Sequence, residues 1–130
     1  MIIDTNVYSA LDRGDPLAID ALRGRLNIYF PIISVGELRY GFNNGSKQKE
    51  NEFRLGKFLA QEGVDILFPT LKTAELYGQL AAYCCKAGHV LSNNDLWIAA
   101  LAKESDLSLV TFDKDFSVFK DIMGDKLIIL

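Results

Sequence analysis

Short apolar runs alternate along the chain with longer stretches in which apolar residues recur at helical spacing. Each apolar run spans only a few residues and is rich in Ile, Val, Leu or Phe, which is typical of buried strands. These runs predict strands within residues 1–3, 27–33, 64–68, 107–112 and 126–130. The longer stretches predict helices within residues 15–26, 34–42, 43–63, 70–88 and 92–105, the third of them beginning as a loop.

Strands that alternate with helices throughout a chain indicate an α/β domain with a mainly parallel sheet. The chain has 130 residues, of which 49% are hydrophobic, and this supports a single domain over residues 1–130. No apolar run approaches the ~20 residues that a membrane span requires, and the first residues lack the pattern of a secretion signal. We therefore expect a cytoplasmic protein without a membrane segment.

Four of the 17 acidic residues stand at the edge of strongly apolar segments, whereas most of the others lie in polar company. Asp4 and Asp113 directly follow predicted strands, and Glu37 and Asp95 lie near the starts of predicted helices. The carboxyl ends of parallel strands meet at one edge of a sheet, where open α/β proteins bind their ligands. We therefore expect these four carboxylates to converge in one site.

Helix capping is the alternative explanation for each of these acids. Ser34 with Glu37, and Ser92 with Asp95, both match a Ser-x-x-acid helix start, although only the first is a full capping box. The two acids that follow strands are compatible with Asx turns. Capping accounts for each acid singly, but it does not account for the joint pattern of two strand ends and two helix starts.

A cluster of four carboxylates favours a site for a divalent metal ion. The charges would repel one another and raise at least one pKa unless a cation neutralised them. Mg²⁺ and Mn²⁺ prefer oxygen ligands, and the chemistry that such an ion supports best is phosphodiester hydrolysis. The net charge of −3 provides no overall attraction for nucleic acid, so a bound metal would also link the acidic site to a polyanionic substrate.

Several short motifs occur in a characteristic order along the chain. They are Asp4-Thr5-Asn6, Glu37, Asp95 with the following Ile98-Ala99-Ala100, and the segment Thr111-Phe112-Asp113-Lys114-Asp115-Phe116. Each motif is weak alone, but the set resembles the PIN domain and, more narrowly, the VapC ribonuclease toxins of toxin–antitoxin pairs. The resemblance covers essentially the whole chain, from residue 4 to the closing strand.

The resemblance implies a single PIN-like domain, with an α/β/α sandwich around a central, mainly parallel sheet. It also implies a Mg²⁺- or Mn²⁺-dependent endoribonuclease that cleaves structured cellular RNA, such as transfer or ribosomal RNA, and acts as a toxin. Such proteins are usually dimeric and are blocked by a small cognate antitoxin. We therefore expect a homodimer, with RNA as substrate and a VapB-like antitoxin as partner.

The same resemblance assigns roles to individual residues. It implies that catalysis and metal binding are performed by an acidic quartet, which consists of Asp4, Glu37, Asp95 and Asp113. Asn6 and Thr111 would be polar support groups, and Asp115 would be a peripheral acid that helps through water. Nothing interrupts the quartet, so the sequence predicts an active enzyme.

Other function classes fit the sequence less well. His89 is the only histidine, which excludes ribonucleases that use a histidine pair. A haloacid-dehalogenase-like phosphatase would need a second aspartate where this chain has Asn6. A phosphoacceptor signalling domain would need an isolated aspartate after a mid-chain strand, but Asp65 lies inside its strand. That domain and a non-catalytic interaction module are the alternatives if the four acids are only helix caps.

Overall fold

A computed structural model describes residues 1–130, which form five strands and seven α-helices. The strands are β1 (Ile2–Ile3), β2 (Ile28–Pro31), β3 (Val64–Leu67), β4 (Leu109–Thr111) and β5 (Leu127–Ile129). The helices are α1 (Thr5–Asp12), α2 (Pro16–Leu22), α3 (Ile32–Asn44), α4 (Gln48–Leu59), α5 (Leu71–Lys86), α6 (Asn93–Ser105) and α7 (Lys120–Met123). Two short 3₁₀-helices cover Lys114–Phe119 and Gly124–Lys126. None of the helices combines the length and apolar character needed to cross a membrane.

The five strands form one parallel sheet in the order β3-β2-β1-β4-β5. β1 is the central strand, and its Ile2 pairs with Tyr29 of β2 on one side and with Leu109 of β4 on the other. The chain first builds outward from β1 through β2 to β3, and then crosses over to build β4 and β5. The carboxyl end of β1 is therefore the point where the strand order reverses, which is where open α/β sheets bind ligands.

Helices cover both faces of the sheet, because alternate residues of a strand point to opposite sides. Ile2 and Leu109 are fully buried against α5 and α6 on one face. Ile3 and Val110 are fully buried against α1 to α4 on the other face. The predicted α/β/α sandwich with a parallel sheet is thus confirmed.

Helix α1 is an element that the sequence pattern did not predict. It begins at Thr5, directly after the two-residue strand β1, so no loop sequence marks the boundary. The helix begins there because the Asp4 side chain accepts a hydrogen bond from the Thr5 backbone N–H, at 2.6 Å. Asp4 is therefore both the residue that follows the central strand and the N-cap of the next helix.

Helix α3 begins two residues earlier than predicted, and it lacks the capping box of Ser34 and Glu37 that the alternative explanation requires. Pro31 ends β2 and occupies the N-cap position, without a side-chain hydrogen bond. Ser34 is fully buried inside the first turn, so its hydroxyl is not available as a cap. Glu37 lies in the second turn, where it satisfies no free backbone N–H of the helix start. The helix also continues to Asn44, so the loop expected over residues 43–49 shrinks to residues 45–47.

Candidate active site

A cavity of about 780 Å³ opens at the carboxyl edge of the sheet, beside the end of β1. Its ten lining residues are Asp4, Thr5, Asn6, Ile33, Gly36, Glu37, Tyr40, Asn94, Asp95 and Asp113. All four acids that the sequence predicts to converge are among them, and no lysine, arginine or histidine is. The cavity wall therefore carries four carboxylates without a basic side chain to neutralise them.

Four different elements bring the carboxylates to this edge. Asp4 follows the central strand, and Asp113 follows the neighbouring strand β4. Glu37 comes from the second turn of α3, the helix that follows β2. Asp95 comes from the first turn of α6. Acids that are up to 109 positions apart in the sequence therefore meet because their elements all end or begin at the same edge of the sheet.

Asp4 is the most buried of the four acids, with only 4% of its surface exposed. One carboxylate oxygen accepts the hydrogen bond from the Thr5 backbone N–H. The other oxygen accepts hydrogen bonds from the Thr111 hydroxyl, at 2.8 Å, and from the Asn6 side-chain amide, at 2.9 Å. Its backbone N–H also donates to the carbonyl oxygen of Val110, at 3.0 Å. Asp4 is therefore fixed in position from both its main chain and its side chain.

Asn6 and Thr111, which the sequence predicts as polar support groups, join the start of α1 to the end of β4. The Asn6 amide N–H donates to the Thr111 hydroxyl oxygen, at 3.2 Å, and the Asn6 carbonyl oxygen accepts from the Phe112 backbone N–H, at 3.1 Å. The Thr111 hydroxyl oxygen also accepts from the Asp113 backbone N–H, at 2.9 Å. These contacts set the position of Asp113 relative to Asp4.

Glu37 is held by two residues that the sequence analysis did not single out as support groups. Its two carboxylate oxygens accept hydrogen bonds from the Thr5 hydroxyl and from the Asn94 side-chain amide, the latter at 2.9 Å. Asn94 directly precedes Asp95, and Thr5 directly follows Asp4, so proximity to an acid in the sequence was the available signal. Glu37 is thereby held both to the start of α1, which contains Thr5, and to the start of α6, which contains Asn94.

Asp95 and Asp113 each take part in the start of a helix. The Ser92 hydroxyl accepts from the Asp95 backbone N–H, at 3.1 Å, and donates to an Asp95 carboxylate oxygen, at 2.6 Å. The predicted helix start at Ser92 is therefore confirmed. Asp113 accepts from the backbone N–H of Asp115, at 2.8 Å, at the start of the first 3₁₀-helix.

Asp115 differs from the quartet because its side chain does not line the cavity. Its carboxylate is exposed and faces the imidazole of His89, with 4.0 Å between the oxygen and Nε2. Only its backbone N–H reaches the site, through the hydrogen bond to Asp113. A supporting role for the Asp115 side chain therefore stays a prediction from the sequence.

Burial and mutual repulsion disfavour the ionised form of the carboxylates in the cavity. Burial raises the pKa of Asp4 to about 6, although the hydrogen bonds from Thr111 and Thr5 oppose this rise; the charges of Asp95 and Glu37 add to it. Burial also raises the pKa of Asp95, against the hydrogen bond from Ser92, and the charges of Asp113 and Glu37 raise it further. A cation in the cavity would lower both pKa values, since an opposite charge favours the ionised carboxylates.

The donor chemistry of the cavity fits a hard divalent cation such as Mg²⁺ or Mn²⁺. Carboxylate oxygens are the ligands that these ions prefer, and here four of them surround one cavity. No three acidic, histidine or cysteine side chains converge on a single ion position in this arrangement. The fit therefore rests on the type and number of donors and on the uncompensated negative charge.

Comparison with known proteins assigns the chain to a family. Residues 1–122 match the PIN domain, and the chain belongs to the PIN domain family. It is 30% identical to ribonuclease VapC2 of Rickettsia felis over 114 residues, which cover 85% of this chain and 84% of that protein. It is also 30% identical to ribonuclease VapC1 of Haemophilus influenzae strain R2866 over 126 residues, which cover 93% and 92% of the two chains.

Solved structures of toxin–antitoxin complexes share the fold. VapBC2 from Rickettsia felis, solved bound to a DNA fragment from its promoter, matches with a TM-score of 0.79 and 27% identity. That match covers 99% of this chain and 96% of the other. VapBC-1 from nontypeable Haemophilus influenzae matches with a TM-score of 0.80 and 26% identity, over 92% of each chain. The resemblance inferred from the motifs is confirmed.

The raised pKa of Asp4 predicts that the metal-free protein loses stability as the pH rises. The folded-state pKa of about 6 lies above the ordinary value of 3.8, so the folded protein binds the proton more tightly between these two values. We expect the free energy of unfolding in EDTA to fall by about 2–3 kcal/mol between about pH 4 and pH 6, and then to level off. Urea unfolding at a series of pH values measures this.

The slope of stability against pH, rather than stability itself, identifies Asp4 as the source. Asp4→Asn should make the fall smaller, whatever it does to stability at any one pH, and leave only the part that the raised pKa of Asp95 contributes. Asp65→Asn is the matched control, because Asp65 is exposed on β3 and away from the cavity, and it should keep the wild-type slope. A wild-type slope in Asp4→Asn would show that Asp4 does not carry this pH dependence.

Proposed function

We propose that this protein is the toxin of a toxin–antitoxin pair, a metal-dependent endoribonuclease that hydrolyses phosphodiester bonds in structured cellular RNA such as transfer or ribosomal RNA. Residues 1–130 act as one nuclease unit. The observation that carries the proposal is the convergence of four carboxylates on a cavity that no basic side chain lines. The similarity to proteins named as VapC ribonucleases supports the reaction class.

The four carboxylates of Asp4, Glu37, Asp95 and Asp113 would hold Mg²⁺ or Mn²⁺ in this proposal. When bound, such an ion lowers the pKa of water and stabilises negative charge on a phosphate and on a leaving oxygen. A bound ion would also stabilise the ionised carboxylates, because burial and mutual repulsion raise the pKa of at least two of them. Substrate phosphate and protein would thus be joined through the same cation.

The hydrogen bonds of each carboxylate indicate its role in the proposed reaction. Asp4 has protein donors on both carboxylate oxygens, so it is a rigid ligand, and Asn6 and Thr111 orient it. Glu37 likewise has a donor on each oxygen. Asp95 and Asp113 each have one oxygen without a protein donor. We assign the proton of an attacking water to Asp95, because burial raises the pKa of this carboxyl and makes it the better base.

The alternative of a non-catalytic or phosphoacceptor domain, in which the acids are only helix caps, accounts for part of the site. Asp4 and Asp113 do accept backbone N–H groups at the starts of helices. Glu37 does not fit this explanation, because it lies in the second turn of α3 and its partners are side chains from two other segments. Capping therefore does not explain the whole cluster. In this proposal, Asp4 and Asp113 are both caps and catalytic residues.

Asp95→Asn should lower the rate of RNA cleavage by about 10²–10⁴-fold, because an amide cannot accept the proton that the carboxylate accepts. The variant should keep the wild-type circular dichroism spectrum, since the Ser92 hydroxyl still caps α6. Asp65→Asn should cleave at the wild-type rate. Cleavage of total cellular RNA by each purified protein, with added Mn²⁺, makes the comparison. A comparable rate in Asp95→Asn would mean that this acid is only part of a helix start.

Removal and return of divalent ions should change both activity and stability. EDTA should stop cleavage, and excess Mg²⁺ or Mn²⁺ should restore it. An ion that binds only the folded state stabilises it by ~2.7 kcal/mol at a hundred times the dissociation constant, so melting temperature should rise with added ion. This rise should be smaller in Asp95→Asn, which has one anionic ligand fewer. Cleavage that resists EDTA, with melting unaffected by ions, would contradict metal dependence.

We also propose that the protein forms a homodimer and binds a small antitoxin of the VapB type. The similar structures are themselves VapBC complexes, which supports such a partner. Large apolar side chains are exposed on several elements, and exposed apolar surface commonly marks interfaces. Outside the acidic cavity they are Leu17, Ile19, Leu26, Phe53, Phe68, Leu71 and Val90.

Light scattering of the purified protein should give twice the mass of one chain, since a two-fold dimer is the commonest way to cover such surface. Expression alone should arrest growth, and co-expression with a small protein encoded next to it should restore growth. A monomer that is harmless when expressed alone would contradict the toxin assignment, even if the purified protein still cleaves RNA.

A further inference from the structure

Tyr40 is an exposed aromatic side chain on the wall of the acidic cavity. About 72% of its surface is accessible, and no other highly exposed large apolar residue lines this cavity. It lies three positions after Glu37 on α3, so the two side chains share one face of the helix. An aromatic ring that packs against nothing costs free energy in water, unless a ligand covers it.

Gly36 leaves open space beside that ring. A glycine in a helix interior is destabilising relative to alanine, and a Cβ atom added at Gly36 would meet no neighbouring atom within 4 Å. Packing of the protein therefore does not require glycine here. Gly36 and Tyr40 are four positions apart on α3 and both line the cavity, so they are neighbours on one face of the helix.

Ile33, Gly36 and Tyr40 together form an apolar wall in a cavity that is otherwise polar. They are spaced three and four positions apart, so they line up along one side of α3. Glu37 lies on the same stretch of helix and faces the other three carboxylates across the cavity. A ligand that fits this cavity has a flat aromatic part for the wall and an anionic part for the cation at the carboxylates. A nucleotide has both.

We propose that the apolar wall is a nucleobase site, in which the Tyr40 ring stacks on the base of a nucleotide whose phosphate lies at the four carboxylates. Gly36 leaves the space that this base occupies. The inference rests on the proposed ribonuclease function and adds to it a binding site for one base beside the carboxylates. Stacking on a side chain requires a base that has left its duplex, and it is compatible with any of the four bases.

Direct binding measurements test this site without cleavage. The probe is a short, unstructured RNA with a fluorescent label, compared with an abasic ribose–phosphate chain of the same length. Binding is followed by fluorescence anisotropy in Mn²⁺, with every variant built on Asp95→Asn so that the RNA stays intact. Base–aromatic stacking predicts that the wild-type wall binds the RNA about five- to a hundredfold more tightly than the abasic chain.

Variants of Tyr40 separate stacking from other contacts with the bases. Tyr40→Ala should lose most of the preference for RNA over the abasic chain, and Tyr40→Phe should keep it, because the ring is retained. Phe53→Ala is the matched control, since Phe53 is also an exposed aromatic residue, at 67%, but lies outside the cavity. It should bind both probes as the parent does.

Variants of glycine test the space beside the ring. Gly36→Leu should weaken binding of the RNA and leave binding of the abasic chain nearly unchanged. Gly41→Leu is its control, because Gly41 is also an exposed glycine of α3 with open space around it and does not line the cavity. Both substitutions replace glycine with a good helix former, so both variants should fold at least as stably as the parent.

The possible results distinguish this inference from the proposed function. A protein without the Asp95 substitution that fails to cleave cellular RNA in Mn²⁺ would overturn both. Cleavage combined with an unchanged RNA preference in Tyr40→Ala would overturn the nucleobase site alone. The site is also overturned if Tyr40→Ala keeps that preference but weakens the complex with the neighbouring antitoxin, because Tyr40 would then belong to a protein interface.

Discussion

The burial of one carboxylate at the end of the central strand is the constraint on which the rest of the site depends. Asp4 is almost inaccessible, and hydrogen bonds from Thr5, Asn6 and Thr111 replace its lost hydration. These donors come from α1 and β4, so satisfying the buried charge fixes how the helix and the strand meet. The replacement is incomplete, because burial still raises the pKa to about 6. The remaining cost is what a bound cation would offset.

The topology of the sheet explains why acids so distant in sequence form one cluster. β1 lies between β2 and β4, and the segments that follow all three strands emerge at one edge. Each of these segments begins a helix or a 3₁₀-helix, and helix starts favour acidic side chains that accept backbone N–H groups. Asp4 and Asp113 use this local chemistry while they also face the cavity. Local stability and function are therefore not competing explanations for them.

Features that depend on neighbouring residues in the sequence could be predicted, whereas those that depend on contacts between distant residues could not. Asp4 and Asp113 were predictable because each ends an apolar strand, and the parallel sheet then implied a shared edge. The start of α3 was mistaken because Ser34 satisfies a local capping rule that burial overrides. Asn94 binds Glu37 from 57 positions away, so its place beside Asp95 in the sequence could mark the residue but not its partner. The sequence likewise does not show that Tyr40 lines the cavity, because its place there depends on the fold.

The central position of β1 also has a consequence for the stage of synthesis at which the site can form. Ile2 and Ile3, at the very start of the chain, pair with Leu109 and Val110, and Asp4 is held by the hydroxyl of Thr111. During synthesis, β1 must therefore wait until residues 109–111 have been made before its second neighbour exists. The four acids cannot come together before Asp113 has been made, so the proposed toxin stays inactive up to that point of its synthesis. A chain that stops before residue 109 lacks both the strand that holds Asp4 and the last acid.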